Sequence, residues 1–384
     1  MLDWTALLAL SLATATATDP IPSPVTGIPI QATTSATAVK VPDQAQIMDL
    51  PPDLRRLLQE RVVALGGSEE QRMMRVLSLV FDDAGVGLSY DITKTLTVAE
   101  VWQQRKANCL SFALLVVAMA REAGLEAHVR ELGEVVAFYQ DAGIVYNVDH
   151  VNVSIRVGDK NRIIDMDRSI MMSRQRPRII DDSRAVAHFH NNRGAELMGE
   201  GQLEQAEAAL RAAVSLAPDF VPAWNNLGVL LQRQGQYDAA ENALLAAYRL
   251  GSNLGPTLRN LANFYVRSDQ PTQAQAYSQR LDQVSRNDPF HHFGLALACE
   301  HQGDHGCAIK HYRHAIRLQP GEHQFHFGLA RAFAIAGDLP SARRELARAA
   351  QAAGGDGVRS LYERKLRDLH AMHSRSSTAP FQAR

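Results

Sequence analysis

The sequence predicts an α+β domain followed by an all-α solenoid of paired helices. Residues 187–356 repeat with a period of 34: Gly194, Gly228, Ala262, Ala296 and Ala330 return at one repeat position, and Ala206, Ala240, Ala274, Ala308 and Ala342 at another. Upstream, an almost wholly apolar stretch at 108–124 precedes runs in which apolar and polar residues alternate, the mark of strands. A chain of 384 residues is also too long for one ordinary domain.

Composition narrows the function classes. Apolar residues make up 46% and charged residues 21%, the balance of a folded protein rather than a disordered one. Forty basic residues face 41 acidic ones, so there is no basic excess for dedicated nucleic-acid binding. No apolar run is long enough for an integral membrane segment. Three cysteines do not make a disulfide framework. At the N-terminus, the short apolar stretch Trp4–Leu12 runs into alternating Ala and Thr at 13–18, with small residues spaced as before a secretory cleavage site. Residues 1–17 are read as a signal peptide, which makes the protein periplasmic or secreted. The n-region carries Asp3 and no Lys or Arg, and without export the segment is a tail of a cytoplasmic protein. Residues 18–46, rich in Pro, Thr, Ser and Ala, read as a linker.

The first domain is expected over 47–185. Residues 50–65 and 68–83 read as helices, the second capped by Ser68 with Glu69 and Glu70 in its first turn. Residues 97–104 read as a short helix capped by Thr97. The 108–124 stretch is apolar all round, hence a buried helix, and Gly124 closes it. Cys109 falls in its first turn, where free amide donors and the positive end of the helix dipole favour a thiolate. Four strands follow, at 125–132, 134–140, 145–157 and 162–167. In the third, His150, Asn152 and Ser154 alternate with Val151, Val153 and Ile155, and in the fourth Asp165 and Asp167 share a face. Neighbouring strands would set His150 beside Asp165 or Asp167, with the carboxylate orienting the imidazole and the imidazole taking the Cys109 proton.

On Thr97–Trp102, Asn108-Cys109, Ala113, Arg121–Ala127, His150–Val153 and Ile163–Asp165, and on the order Cys, His, Asp, residues 60–170 resemble the transglutaminase-like core, a superfamily with papain-like chemistry. The resemblance implies that Cys109 is the nucleophile, His150 the base and Asp165 the orienting acid. It implies acyl transfer through a thioester on Cys109, from an amide in a peptide, isopeptide or glutamine side chain, without a cofactor. Water as acceptor makes a peptidase or amidase, an amine a transamidase. Gln103, six residues before Cys109, is the candidate second oxyanion donor, with Gln104 and Trp102 as rivals. Asn108 stands where many members have Gly or Asp, and Asn152 replaces a common Trp.

The 34-residue period resembles the tetratricopeptide repeat (TPR): five repeats over 187–356, a capping helix at 357–373 and a loose tail at 374–384. Antiparallel helices cross closely only where side chains are small, and Gly or Ala supplies that at the crossing. By resemblance, the first helices of the pairs line a groove through Asn191, Asn225, Val229, Arg233, Arg259, Asn263, Arg267, Phe290, Phe293, His301, Phe327 and Arg331. Amides and guanidinium groups suit a peptide backbone or carboxylate, and phenyl rings an apolar anchor, so a protein or peptide partner is expected there. The alternative is a groove that packs only on the rest of the chain. The carboxylate-clamp pattern is absent, with Ala195 where its Asn would stand. Eight of the 14 histidines lie between His291 and His326, but His292 and His326 occupy a packing position and no metal site is expected. Cys299 and Cys307 face each other across a helix turn; they pair in an oxidising compartment, leaving Cys109 free, or else simply pack. The expected function is a thiol enzyme with a recruiting repeat array. The alternative is a TPR scaffold for protein–protein interaction with a silent first domain.

Overall fold

A computed structural model describes residues 39–91, 93–137, 146–166, 172–173, 177–251, 254–353 and 359–367. The expected signal peptide, most of the expected linker, Asp167 and the tail lie outside the described residues.

Five helices open the first domain. Helix α1 (Gln44–Met48) lies inside the stretch read as linker; an Asp43/Gln46 capping box starts it and Ile47 is fully buried. Pro52 occupies the first turn of α2 (Pro52–Leu58), where its missing N–H costs nothing, and the helix runs on as a π turn over Gln59–Val63. Ser68 and Gln71 box the start of α3 (Glu69–Phe81), as Thr97 and Glu100 do for α4 (Val98–Gln104). Short strands β1 (Ser89–Tyr90) and β2 (Lys106–Ala107) pair in parallel and bracket α4. Helix α5 (Cys109–Glu122) is buried nearly all round, as its composition requires, and Gly124 ends it at φ 72°.

An antiparallel sheet packs against α5 in the order β5 (Lys160–Ile164), β4 (Tyr146–Val157), β3 (Ala127–Ala137) and β6 (Met172–Ser173), with β7 (Arg178–Ile179) also pairing β3. The two strands expected at 125–140 are one strand. Around Leu132-Gly133 the register shifts between Glu131 and Glu134, a bulge that resumes pairing with β4 on both sides. Over residues 150–155 both faces of β4 are buried: Val151, Val153 and Ile155 in the apolar core, His150 and Asn152 against polar partners, and Ser154 on the same face as these two.

Among the described residues, ten helices form five antiparallel pairs: α6 (Asp182–Gly199) with α7 (Leu203–Leu216), α8 (Val221–Arg233) with α9 (Tyr237–Leu250), α10 (Leu254–Arg267) with α11 (Pro271–Arg286), α12 (Pro289–His301) with α13 (His305–Leu318), and α14 (His323–Ile335) with α15 (Leu339–Ala352). The crossings need small residues, since a Cβ at Gly194 or Gly228 would come within 2.6 Å of Leu210 or Leu244. Residues 359–367 are helical, and Tyr362 stacks on Phe327 with centroids 5.1 Å apart. The apolar core of the array is broken after the third pair, where one cluster ends at Ala274 and the next begins at Phe290. Ser278 explains the break: it stands where Leu210, Leu244, Tyr312 and Leu346 fill the other pairs, and Ala274 is the only buried residue of α11.

Helix α6 belongs to both cores. Ala185, Val186 and Phe189 pack into the first domain, Ala187 into the array. Two ion-pair groups fasten the joint: Arg121 holds Asp182 through two bonds of 2.7 and 2.9 Å, and Glu131 on β3 accepts from Arg178, Arg184 and His188 at 2.8, 3.1 and 3.1 Å.

Candidate functional site

Cys109 is the first residue of α5. The N-cap Asn108 places it: its Oδ1 accepts the Ser111 N–H at 2.9 Å and its Nδ2 donates to Thr95 Oγ1 at 2.8 Å. His150 comes from β4 and Asp165 from just beyond β5, two strands that pair Val153 with Ile164. The structure brings these three together. The Nε2–H of His150 donates to Asp165 at 2.9 Å, and Cys109 is hydrogen-bonded to the same imidazole. Burial pushes the His150 pKa down, but the bonds to Asp165 and Cys109 and their charges outweigh it and hold the value at about 9. The imidazole therefore carries its proton at neutral pH, between Asp165 and Cys109.

Asn152 donates to Asp165 Oδ2 at 3.0 Å, and Arg130 donates to Asn152 Oδ1 at 3.0 Å, so the chain of polar partners runs Arg130, Asn152, Asp165, His150, Cys109. Alternation along β4 puts Asn152 on the His150 face, a signal in the sequence. Arg130 depends on the β3–β4 register that sets it opposite Asn152, which no local pattern supplies. Gln103 and Gln104 are exposed at the end of α4, and among the described residues neither is hydrogen-bonded to the trio. Trp102 packs against the apolar core.

The expected groove residues divide into used and free. Asn191 accepts from Asn226 at 2.9 Å and Asn225 accepts from Asn260 at 3.1 Å, so both buried amides tie one pair of helices to the next rather than face a ligand. Phe290 and Phe293 are buried and pack on Phe325, while Phe327 lies under Tyr362 with Lys365 over its ring. No apolar anchor is left on that face by these rings. Arg331 is paired with Glu300 and also reaches the Tyr312 hydroxyl. Arg233 is exposed and, among the described residues, is hydrogen-bonded only to the Met198 carbonyl, at 3.4 Å. Arg259, Asn263 and Arg267 are exposed and, among the described residues, make no hydrogen bond or ion pair. Of the two readings of Cys299 and Cys307, the disulfide is the one present, and Cys109 is the free thiol. No described helix is long and apolar enough to cross a membrane.

Models of the tetratricopeptide repeat match residues 197–249, 260–323 and 308–357. No curated protein matches the chain. Similar solved structures include YrrB, described as a TPR protein with an unusual peptide-binding site (20% identity, 46% of this chain and 92% of that one, TM-score 0.25). Others are a MamA fragment from Desulfovibrio magneticus RS-1 (17% identity, 43% and 94%, TM-score 0.25) and pilF of Pseudomonas aeruginosa (18% identity, 50% and 90%, TM-score 0.26).

These findings correct the functional expectation. The family matches fall in the repeats and support a protein-interaction module. The transglutaminase-like assignment of the first domain is withdrawn, and with it the peptidase, amidase or transamidase activity drawn from it. Two of the three thiols are spent in the disulfide. The physical reason lies in what the remaining trio does: Cys109, His150 and Asp165 belong to a partly buried polar chain whose members bond one another, which a fold requires whether or not chemistry follows. The supported architecture is an N-terminal α+β region with a small sheet, followed by a TPR-like helical solenoid.

Proposed function

We propose that the protein is an interaction module whose repeats hold an extended, carboxylate-bearing segment of a partner protein along the first helices of the second and third pairs. The observation that carries this is the set of exposed side chains at Arg233, Arg259, Asn263 and Arg267, three of which are free of internal partners among the described residues. The neighbouring candidates support it by elimination: Asn191, Asn225, Phe293, Phe327 and Arg331 are engaged within the fold. Guanidinium groups match carboxylates in planar, two-bond geometry, and the Asn263 amide suits a peptide backbone. The net charge of −1 means that attraction comes from this local face and not from the whole chain.

The test is fluorescence anisotropy of the full chain with a labelled peptide of alternating Glu and Gly, and with its Lys counterpart as control. The acidic peptide is expected to bind more tightly, with affinity falling as salt rises, and R259A/R267A to weaken it by about 10- to 100-fold. Equal binding of the two peptides, or an unchanged affinity in R259A/R267A, would overturn the assignment.

A further inference from the structure

Among the described residues, one cluster of soft ligand atoms lies in the fourth helix pair. One ligand atom each from Cys299 on α12 and from Cys307 and His311 on α13 all fall within 4.8 Å of one another. The local sequence explains the convergence. Cys307 and His311 are four residues apart, one turn of a single helix face. Cys299 and Cys307 flank the tight turn between the two helices, with Cα atoms 5.7 Å apart. Zn–S and Zn–N bonds near 2.3 and 2.0 Å place tetrahedral ligands about 3.3–3.8 Å from each other, so a shift of side-chain rotamers is enough to close the set.

His292, two turns before Cys299 on α12, is in hydrogen-bond contact with the His311 imidazole. Its Nε2 lies 3.2 Å from the Arg286 carbonyl and its Nδ1 lies 3.2 Å from Nδ1 of His311. A carbonyl only accepts, so His292 carries its proton on Nε2 and offers the Nδ1 lone pair. His311 Nδ1–H then donates to it, and Nε2 of His311 keeps its lone pair. This is how metal-binding histidines are oriented: one nitrogen is tied to a neighbour and the other is left for the ion.

We propose that Cys299, Cys307 and His311 form a redox-gated site for a Zn2+-class cation, with His292 as its positioning residue. Two thiolates and an imidazole, with no carboxylate in the set, suit a borderline-soft ion, and the fourth position is left to water or an added ligand. In the oxidised chain the two sulfurs are bonded to each other and cannot ligate as thiolates. A dithiol reductant opens the site. Its thiolate attacks one sulfur, the Cys299–Cys307 bond breaks, and the reductant leaves as its cyclic disulfide, having delivered two electrons and two protons. The two thiols then release their protons to solvent as the cation binds. The turn between α12 and α13 is thus stapled in either state, by a disulfide or by an ion.

Cobalt(II) is the probe, added to metal-free full chain carrying Cys109→Ser so that no other thiol contributes. The reduced chain is expected to bind one cobalt, with a sulfur-to-metal charge-transfer band and tetrahedral ligand-field bands that Zn2+ removes. The oxidised chain should show none of these. His311→Ala should abolish the tetrahedral spectrum, and His292→Ala should weaken Zn2+ binding by about 10- to 100-fold. Far-ultraviolet circular dichroism checks that each variant is folded, and the oxidised-against-reduced comparison needs no substitution in the site. A reduced chain without the charge-transfer band, or a spectrum unchanged by His311→Ala, would overturn the proposal.

Discussion

Removing the Glu131 carboxylate should separate the stability of the first domain from that of the repeats. Glu131 projects from β3 with only 8% of its side chain exposed, and it accepts from Arg184 (12% exposed) and His188 (3%) on α6. Arg184 also lies over the Phe220 ring at 4.3 Å, so one guanidinium links sheet, first repeat and second repeat. Burial pushes the Glu131 carboxyl up, but the His188 bond and charge, then Arg184 and Arg178, hold it well below the usual carboxylate range. Glu131→Ala leaves buried donors facing an apolar gap, a loss of about 3–5 kcal/mol. The other acid on Arg184, Asp219, is 67% exposed, so Asp219→Ala should cost about 1 kcal/mol or less. Because the folded pKa lies below the unfolded value near 4.5, the Glu131 contribution is complete above that value and is lost as pH falls. The assay is urea unfolding followed by fluorescence in two variants that each keep a single tryptophan, Trp102 in α4 or Trp224 in α8, since a two-domain chain is not bound to one transition. In the unaltered chain the two probes should report one midpoint; Glu131→Ala should lower both and make them separate. A loss no larger than that of Asp219→Ala, or transitions that remain coincident, would refute the argument that this carboxylate couples the two parts.

Two further expectations rest on equally local geometry. His150 has a folded pKa near 9 against an ordinary 6.5, so its stabilising contribution is complete below pH 6.5 and is lost as pH rises towards 9. Urea unfolding at a series of pH values should show about 2–3 kcal/mol less stability at the alkaline end, and Asp165→Asn should flatten that slope. A Cβ at Gly328 would meet the Tyr312 ring at 2.5 Å, and that ring is fully buried with its hydroxyl held by Glu300 and Arg331. Gly328→Ala should therefore cost about 1–3 kcal/mol in thermal unfolding, whereas Gly337→Ala meets no neighbouring atom and loses only the left-handed backbone its φ of 84° requires.

What was legible in the sequence depended on how far apart the deciding residues lie. The helix pairs could be read because each crossing is settled by one small residue recurring at 34, as at Gly194 and Gly228. The meeting of Cys109, His150 and Asp165 could be read from a helix start and the alternation of two strands. What it does could not, because three polar residues in order serve a buried hydrogen-bond chain as well as they serve chemistry, and Arg130, which closes that chain, is set by register alone. The bulge at Leu132-Gly133 hid for the same reason: a local break in alternation looks like a strand end until the partner strand is seen to continue past it.

The groove shows the limit most sharply, because there the missing signal was present at a different spacing. Reading residues 34 apart compares equivalent positions, and so assigns Asn191, Asn225 and Phe327 to one exposed face. Contacts between successive first helices run instead at a spacing of 35: Asn191 with Asn226, Asn225 with Asn260, and Phe327 with Tyr362. At the two intervening steps the second partner is Gly294, opposite Arg259, and Gly328, opposite Phe293. Glycine offers no side chain to bond or cover its partner. Arg259 is accordingly exposed, while Phe293, being apolar, turns into the core formed by Tyr312 and Phe325. A polar residue at this position is thus free for a ligand when the residue 35 further on lacks a side chain, a rule that selects Arg259 from sequence alone. The same spacing accounts for the helix at 359–367, which enters the series through Tyr362 as though a sixth pair were beginning and so covers the ring that the fifth pair would otherwise expose.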